Sequence, residues 1–158
     1  MKKYSYLLFL FILSAFTSCL TGGMNDLPEF EENDITGIYR VEYRYISDDV
    51  NPASGEKNVV KVELGKSNIV IDDQAGTISF DVSVPAAGGS FPAAEREKCT
   101  VNNIGVMVSI STAARLSPVG ESPVLGIPGD WSKPNKYIVT AANGAQKEWT
   151  ISVSKFTK

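Results

Sequence analysis

The stretch TISFDVSV, residues 77–84, decides how the chain is interpreted. Apolar and polar side chains alternate along it without a break, and a period of two is that of a β-strand with one face on a core and the other in water. Pro85 follows and ends the strand, because proline cannot donate a ladder hydrogen bond. The side chains predicted to face inward are Ile78, Phe80, Val82 and Val84.

The same alternation recurs on both sides of this stretch, in residues 38–45 (IYRVEYRY), 58–64 (NVVKVEL) and 105–111 (GVMVSIS). Turn signals recur about every ten residues, and no long segment has a helical period. We therefore predict about six to eight short strands. They would form an all-β domain over residues 34–158, a single antiparallel immunoglobulin-like β-sandwich. An up-and-down barrel is the alternative.

Three tyrosines share one face of the first predicted strand. Tyr39, Tyr43 and Tyr45 occupy odd positions, and the even positions from residue 40 to residue 44 carry charge. Because the charged face belongs in water, we predict that the tyrosines face the core. A tyrosine row that stacks on sugar rings is the alternative.

The chain closes with a predicted hairpin, residues 137–141 and 147–153, around Asn143-Gly144. A two-residue loop would place Trp149 opposite Ile138. A three-residue loop over 142–144 instead pairs Tyr137 with Trp149 and puts both on the apolar face. We predict the three-residue loop, with Gly144 in the left-handed conformation that glycine adopts freely.

The N-terminus has the features of an export signal. Lys2 and Lys3 precede an apolar stretch, residues 7–13, that is shorter than the about 20 residues needed to span a bilayer. Phe16 is too bulky for an ordinary cleavage site but fits a lipobox ending at Cys19. We predict a lipoprotein signal peptide over residues 1–18, lipidation of Cys19, and a flexible lipidated tether over residues 19–33. A plain signal peptide with an incidental cysteine is the alternative.

Lipidation would anchor the protein to the outer membrane, and the sequence leaves open whether it faces the surface or the periplasm. The net charge is −3, and it becomes more negative when Lys2 and Lys3 are removed with the signal. A nucleic-acid partner would need a basic face, and the lysines and arginines are scattered, so this class of partner is excluded. Cys99 is the second of two cysteines, and we expect it to be a small buried residue.

Catalytic chemistry finds little support in the residues. The chain has no histidine, which excludes Ser-His-Asp and Cys-His systems and most zinc sites. Asp48-Asp49 and Asp72-Asp73 lie in predicted turns, where aspartate caps its own backbone. A calcium site or a carboxylate pair acting on glycans is the alternative for these pairs. We predict no enzyme, no catalytic residue, no metal and no cofactor.

The last third of the chain carries a resemblance. Residues 125–137 read LGIPGDWSKPNKY, and residues 137–153 follow the pattern Y-x-V-T-A-x-x-G-x-x-x-x-W-x-I-x-V. This part is similar to a family of Bacteroides-type lipoproteins of uncharacterised function that have immunoglobulin-like sandwich domains and are associated with cell adhesion and the cell surface. The resemblance implies the fold, a lipid anchor and a cell-envelope location, and it supplies no catalytic or ligand residues.

Trp131 lies in a polar loop outside any strand pattern. It either plugs one end of the sandwich, which we favour, or protrudes as a binding anchor with Asp130 and Lys133 beside it. We expect a non-catalytic cell-envelope lipoprotein, an interaction or adhesion module that binds a surface or dietary polysaccharide or an envelope protein. The alternative is a structural accessory subunit of an outer-membrane complex that has no free ligand.

Overall fold

A computed structural model describes residues 29–158 of the chain. The predicted signal peptide, Cys19 and most of the predicted tether lie outside the described residues. One helix, α1 (Ala93–Lys98), and a short 3-10 helix (Val101–Asn103) occur in the described part. Its eight strands are β1 (Ile35–Val50), β2 (Lys57–Glu63), β3 (Gly65–Asp72), β4 (Thr77–Ser83), β5 (Ile104–Ile110), β6 (Arg115–Pro118), β7 (Asn135–Thr140) and β8 (Gln146–Thr157).

The strands form two sheets, one with the order β2-β1-β5 and the other with the order β3-β4-β8-β7-β6. The predicted all-β sandwich is confirmed, and the described residues do not form the alternative barrel. The larger sheet is mixed, because β4 and β8 pair in parallel. These two strands are far apart in the chain, so no short hairpin forces them to run in opposite directions.

The inward faces of both sheets form the core. The four inward residues predicted from the alternation in residues 77–84 are all buried: Ile78, Phe80 and Val82 of β4, and Val84 just after it. Trp131, Trp149 and Tyr137 are the largest fully buried side chains among the described residues.

The β7–β8 hairpin has the predicted geometry. Tyr137 pairs with Trp149 across the ladder, and both side chains are buried. The Ala141 N–H donates to the Ala145 carbonyl at 2.9 Å, which closes a three-residue loop. Gly144 has a φ of 84°, the predicted left-handed conformation.

Strand β1 departs from the predicted alternation at two bulges. Its register against β5 shifts between Ile35 and Gly37 and again between Ile38 and Arg40. Each bulge adds one residue and reverses the faces that follow. The prediction that Tyr39 faces the core is therefore wrong, since its side chain is 63% exposed. Tyr43 is buried as predicted, and Tyr45 is half-buried at the edge of the core.

The outer face of β1 is less exposed to water than predicted. Glu42 is only 1% exposed, although its position was expected to lie in water. The Arg44 side chain pairs with Glu42 and also donates to the Gly126 carbonyl at 2.6 Å. The Gly126 N–H in turn donates to the Val106 carbonyl of β5 at 2.8 Å. The loop between β6 and β7 therefore covers this face and encloses an ion pair.

Candidate functional site

Trp131, the candidate binding anchor, is buried with 1% exposure. Its ring stacks on Tyr137, with centroids 6.2 Å apart and planes 17° from parallel. Its backbone N–H donates to the Val101 carbonyl at 3.0 Å. Trp131 therefore plugs the sandwich, as the favoured interpretation expects. The alternative of a protruding anchor is wrong because packing encloses the indole.

Asp130 and Lys133 do not join Trp131 in one pocket. Asp130 accepts a hydrogen bond from the Ser132 N–H at 2.9 Å, and hydrogen bonding from Ser132 holds the pKa of Asp130 below its usual value. The Lys133 ammonium lies 3.2 Å from a Glu121 carboxylate oxygen, and both side chains are exposed. These contacts organise the surface of the loop before β7.

A cleft with a volume of about 420 Å³ lies at one end of the sandwich. We call it the acidic cleft. Its two walls are the end of β1 and the segment from residue 89 to residue 95, which enters α1, and Val60 of β2 joins the first wall. From β1 come Tyr45, Ile46, Ser47, Asp48 and Asp49, and from the second wall come Gly89, Ser90, Pro92, Ala94 and Glu95.

The second wall is fixed by a tight turn before α1. Gly88 and Phe91 exchange backbone hydrogen bonds of 3.0 and 2.9 Å, and Gly89 takes a positive φ of 54° between them. The Phe91 side chain is buried, and its ring lies 6.1 Å from that of Tyr43. Because Phe91 is anchored in the core, the turn holds Ser90 and Glu95 at the mouth of the cleft.

Tyr45 is the aromatic residue of the cleft, and the buried Tyr43 packs behind it. Tyr45 stacks on Tyr43 with centroids 6.1 Å apart, and its hydroxyl donates to the Ser90 carbonyl. The buried Tyr43 hydroxyl donates to Glu95 Oε2 at 3.1 Å. Burial, together with the neighbouring Glu95 carboxylate, raises the pKa of Tyr43 to about 12. Tyr43 therefore stays neutral, and Tyr45 contributes a half-buried ring to the cleft.

Three carboxylates line the same cleft. Asp48 lies 2.9 Å from the Lys57 ammonium, and Glu95 lies 2.7 Å from that of Lys98. A hydrogen bond from its lysine lowers the pKa of each carboxyl group, so both are ionised at neutral pH. Asp49 is exposed and forms no ion pair within residues 29–158. The described residues contain no group of three or more side chains placed to hold a metal ion.

The two aspartate pairs behave differently from each other. Asp72 Oδ1 accepts from the Ala75 N–H at 2.9 Å, so the predicted turn-capping role is confirmed there. The prediction that Asp48 and Asp49 lie in a turn is wrong, because β1 continues to Val50. Tyr45, Asp48 and Asp49 were each considered as binding residues from the sequence, but a common site lined by all three was not predicted. Their common cleft arises when residues 86–95 fold back on the end of β1, a contact that leaves no local signal.

The acidic cleft lies at the end of the sandwich opposite the entry of the chain. Ile35, where β1 begins, pairs with the last residue of β5, and Tyr43 pairs with the first. The cleft begins two residues further on, at Tyr45. Before β1, the Phe30 carbonyl accepts from the Asn143 N–H at the tip of the β7–β8 hairpin, at 3.2 Å. The N-terminal segment and the cleft therefore lie at opposite ends of the domain.

Comparison with known proteins places the chain among bacterial relatives. Residues 35–152 match the sequence profile of a family described as DUF5018-related. A crystal structure of a "putative secreted protein" from Bacteroides fragilis NCTC 9343 superposes with a TM-score of 0.75 at 40% identity, covering 83% of this chain and all (100%) of that one. No protein with a curated description matches the chain. No helix among residues 29–158 combines the length and apolar character needed to cross a bilayer.

A second solved structure is far less similar. It is that of a "putative glycoside hydrolase" from Bacteroides thetaiotaomicron VPI-5482, with a TM-score of 0.39 and 19% identity. The match covers 83% of this chain and 27% of that protein. Likeness at this level carries no argument about activity.

Proposed function

This chain belongs to the DUF5018-related family, and from that premise we propose that it is a non-catalytic cell-envelope lipoprotein whose sandwich domain binds glycans in the acidic cleft. The 40% identical relative from Bacteroides fragilis supports a location outside the cytoplasm, because its description is that of a "putative secreted protein". Lipidation at Cys19, attachment to the outer membrane and a role in adhesion are parts of the same proposal.

The observation that carries the proposal is the meeting of an aromatic ring with hydrogen-bond acceptors in one concave site. Sugar rings have an apolar face of C–H groups and a rim of hydroxyl donors. Tyr45 offers the flat apolar surface, and Asp48 and Glu95 offer carboxylate oxygens beside it. A volume of about 420 Å³ also falls in the range of sites for small molecules.

The position of the cleft fits this role. Phe30 and Asn33 are hydrogen-bonded to Asn143 and Trp149 of the β7–β8 hairpin, so the tether is free to extend only over residues 19–29. Fully extended, these residues would reach about 35 Å from the membrane. Because the cleft lies at the end of the domain away from the N-terminal segment, a lipid-anchored protein would present it away from the bilayer. A ligand on a neighbouring surface or in the medium would then have access to it.

A glycan array followed by titration calorimetry on the full chain in detergent tests the proposal. We expect reproducible binding of at least one oligosaccharide, and Tyr45→Ala should weaken it about tenfold through loss of the aromatic surface. Tyr39→Ala is the matched control, because Tyr39 is an exposed tyrosine of the same strand that does not line the cleft. Absence of any binding glycan, or equal losses in the two variants, would refute the assignment.

A second candidate, the structural accessory subunit, draws support from a different surface. An apolar side pocket of about 290 Å³ opens between β5 and β6, with Met107, Leu116 and Val124 among its lining residues. Val124 is 53% exposed there, and exposed apolar surface of this kind marks protein contacts. Cross-linking of the full chain in membranes tests this role. A specific partner that is lost in Val124→Asp, with no glycan bound, would favour it.

A further inference from the structure

We infer that the acidic cleft selects sugars carrying a free amino group over N-acetylated and anionic sugars, an inference that rests on the proposed glycan-binding function. The observation behind it is the balance of charge at the site. Three carboxylates line the cleft, and no lysine or arginine is among the lining residues in the described part of the chain.

Two of the three carboxylates are already matched by lysines at the sides of the cleft. Lys57 holds Asp48, and Lys98 holds Glu95. Asp49 is left without an ion pair among the described residues, so the site has one negative charge that a ligand can neutralise. A protonated amine on a bound sugar supplies the complementary charge. A uronate or sulfate group would instead meet carboxylates and be repelled.

The hydrogen-bonding groups point to the same class of ligand. An ammonium group has three donors and no acceptor, whereas ionised carboxylates only accept. The carboxylates of the cleft therefore match an ammonium group better than an N-acetyl group, which keeps one N–H donor and adds a carbonyl acceptor. Ser47 also lines the cleft, and its Oγ is buried without a partner within residues 29–158. The surplus of acceptors distinguishes this site from one built for acidic glycans.

Calorimetry on the full chain in detergent at pH 6 tests the inference with three tetrasaccharides: a glucosamine oligomer, its N-acetylated form and an oligogalacturonate. We expect the glucosamine oligomer to bind most tightly. Asp49→Asn should reduce its advantage over the N-acetylated form about fivefold, the effect of one exposed ion pair. Asp73→Asn is the control, since it removes a carboxylate from an exposed turn outside the cleft. Salt at 0.5 M should reduce the preference for the glucosamine oligomer over its N-acetylated form, because salt screens the charge interaction.

The outcomes separate this inference from the function it rests on. If the N-acetylated oligomer or the galacturonate binds as tightly as the glucosamine oligomer, or if Asp49→Asn and Asp73→Asn act alike, glycan binding stands and amine selection fails. Equal binding of tetralysine would also overturn selection of sugars, because charge alone would then account for the affinity. If no tetrasaccharide binds and the array is also empty, the proposed function fails with it.

Discussion

At the scale of single residues, Gly76 combines a left-handed backbone with a close approach to another strand. Its φ is 63°, and a Cβ there would lie 2.4 Å from the Glu148 carbonyl oxygen. That oxygen belongs to the backbone of β8, so no flexible side chain can move aside. Gly76→Ala should therefore destabilise the fold by about 3 kcal/mol or more, as left-handed strain adds to overpacking.

The variant Gly144→Ala separates left-handed backbone strain from overpacking. Gly144 also has a positive φ, 84°, but an added Cβ meets open space. Its cost should be the conformational strain alone, about 1 to 2 kcal/mol. Urea unfolding of both variants measures the difference, and equal losses would show that the contact with Glu148 is relieved by a small shift of the backbone.

The buried Glu42 carboxylate should contribute more to stability than exposed carboxylates of the same sheet. It is 1% exposed and pairs with Arg44, which also holds the Gly126 carbonyl, and more distantly with Arg40 at 3.9 Å. Glu42→Gln leaves a guanidinium group without its counter-charge in a partly buried site, and should cost about 2 to 4 kcal/mol in denaturant unfolding. Asp48→Asn is the control, because Asp48 pairs with a lysine at an exposed position of the same sheet and its replacement should cost much less than that of Glu42.

Cys99 makes stability depend on alkaline pH. The thiol is fully buried, and burial raises its pKa from 9.0 to about 11. The unfolded chain ionises this thiol at lower pH than the folded chain does. The stabilisation is therefore complete below pH 9 and is lost as pH rises toward 11. We expect the stability difference between the native chain and Cys99→Ala to shrink by about 2 kcal/mol over that interval.

Urea unfolding at several pH values between 8 and 11 measures this change. Tyr43, whose pKa is raised from 10.0 to about 12, lowers stability in both proteins as pH rises above 10, so most of its effect cancels in the comparison. A difference that stays constant across the interval would contradict the burial of the thiol.

At the scale of elements, the sequence predicts structure well where the relevant contacts are local. The β7–β8 hairpin was predicted in register because parity across a short loop leaves few solutions, and Gly144 has the predicted conformation. Strand β4 was predicted with the correct inward face because its apolar and polar residues alternate locally. Both stretches have unbroken alternation.

Strand β1 shows where such prediction fails. Its two bulges against β5 are set by pairing with a strand about 70 residues away, and the residues at the bulges look ordinary in sequence. Strand β6 is not among the strands predicted from alternation, because its four residues include Pro118 and are too few to show a period. The burial of Glu42 could not be predicted from the sequence either, because the loop between β6 and β7 contacts β1 only in the folded domain.

The segment before β1 acts as an extension of the β7–β8 hairpin. The Trp149 indole donates to the Asn33 carbonyl at 3.1 Å, and Lys147 pairs with Asp34. A chain starting at Ile35 should therefore be about 2 kcal/mol less stable than one starting at Glu29, through loss of these contacts. Thermal or urea unfolding of the two chains measures the loss. Equal midpoints would mean that residues 29–34 are only part of the tether.

At the scale of the whole molecule, the candidate site shows again that contacts between distant segments are not predicted from the sequence. Tyr45, Asp48 and Asp49 were each noticed as residue types suited to binding, but they were assigned to a core and a turn. The cleft depends on two segments about 40 residues apart, and only the fold brings them together. Trp131 was the clearest candidate in the sequence, and packing on Tyr137 removes it from the surface.

The two cysteines allow the predicted anchor to be tested in one matched pair. Cys19 follows an apolar stretch of the kind found in lipoprotein signals, and Cys99 is buried in the sandwich. Because acylation needs the thiol next to the signal, Cys19→Ser should abolish incorporation of labelled fatty acid and release the protein from the membrane fraction. Cys99→Ser should leave both unchanged. Label that persists in Cys19→Ser, or disappears only in Cys99→Ser, would show that the domain is held at the envelope by something other than this lipid.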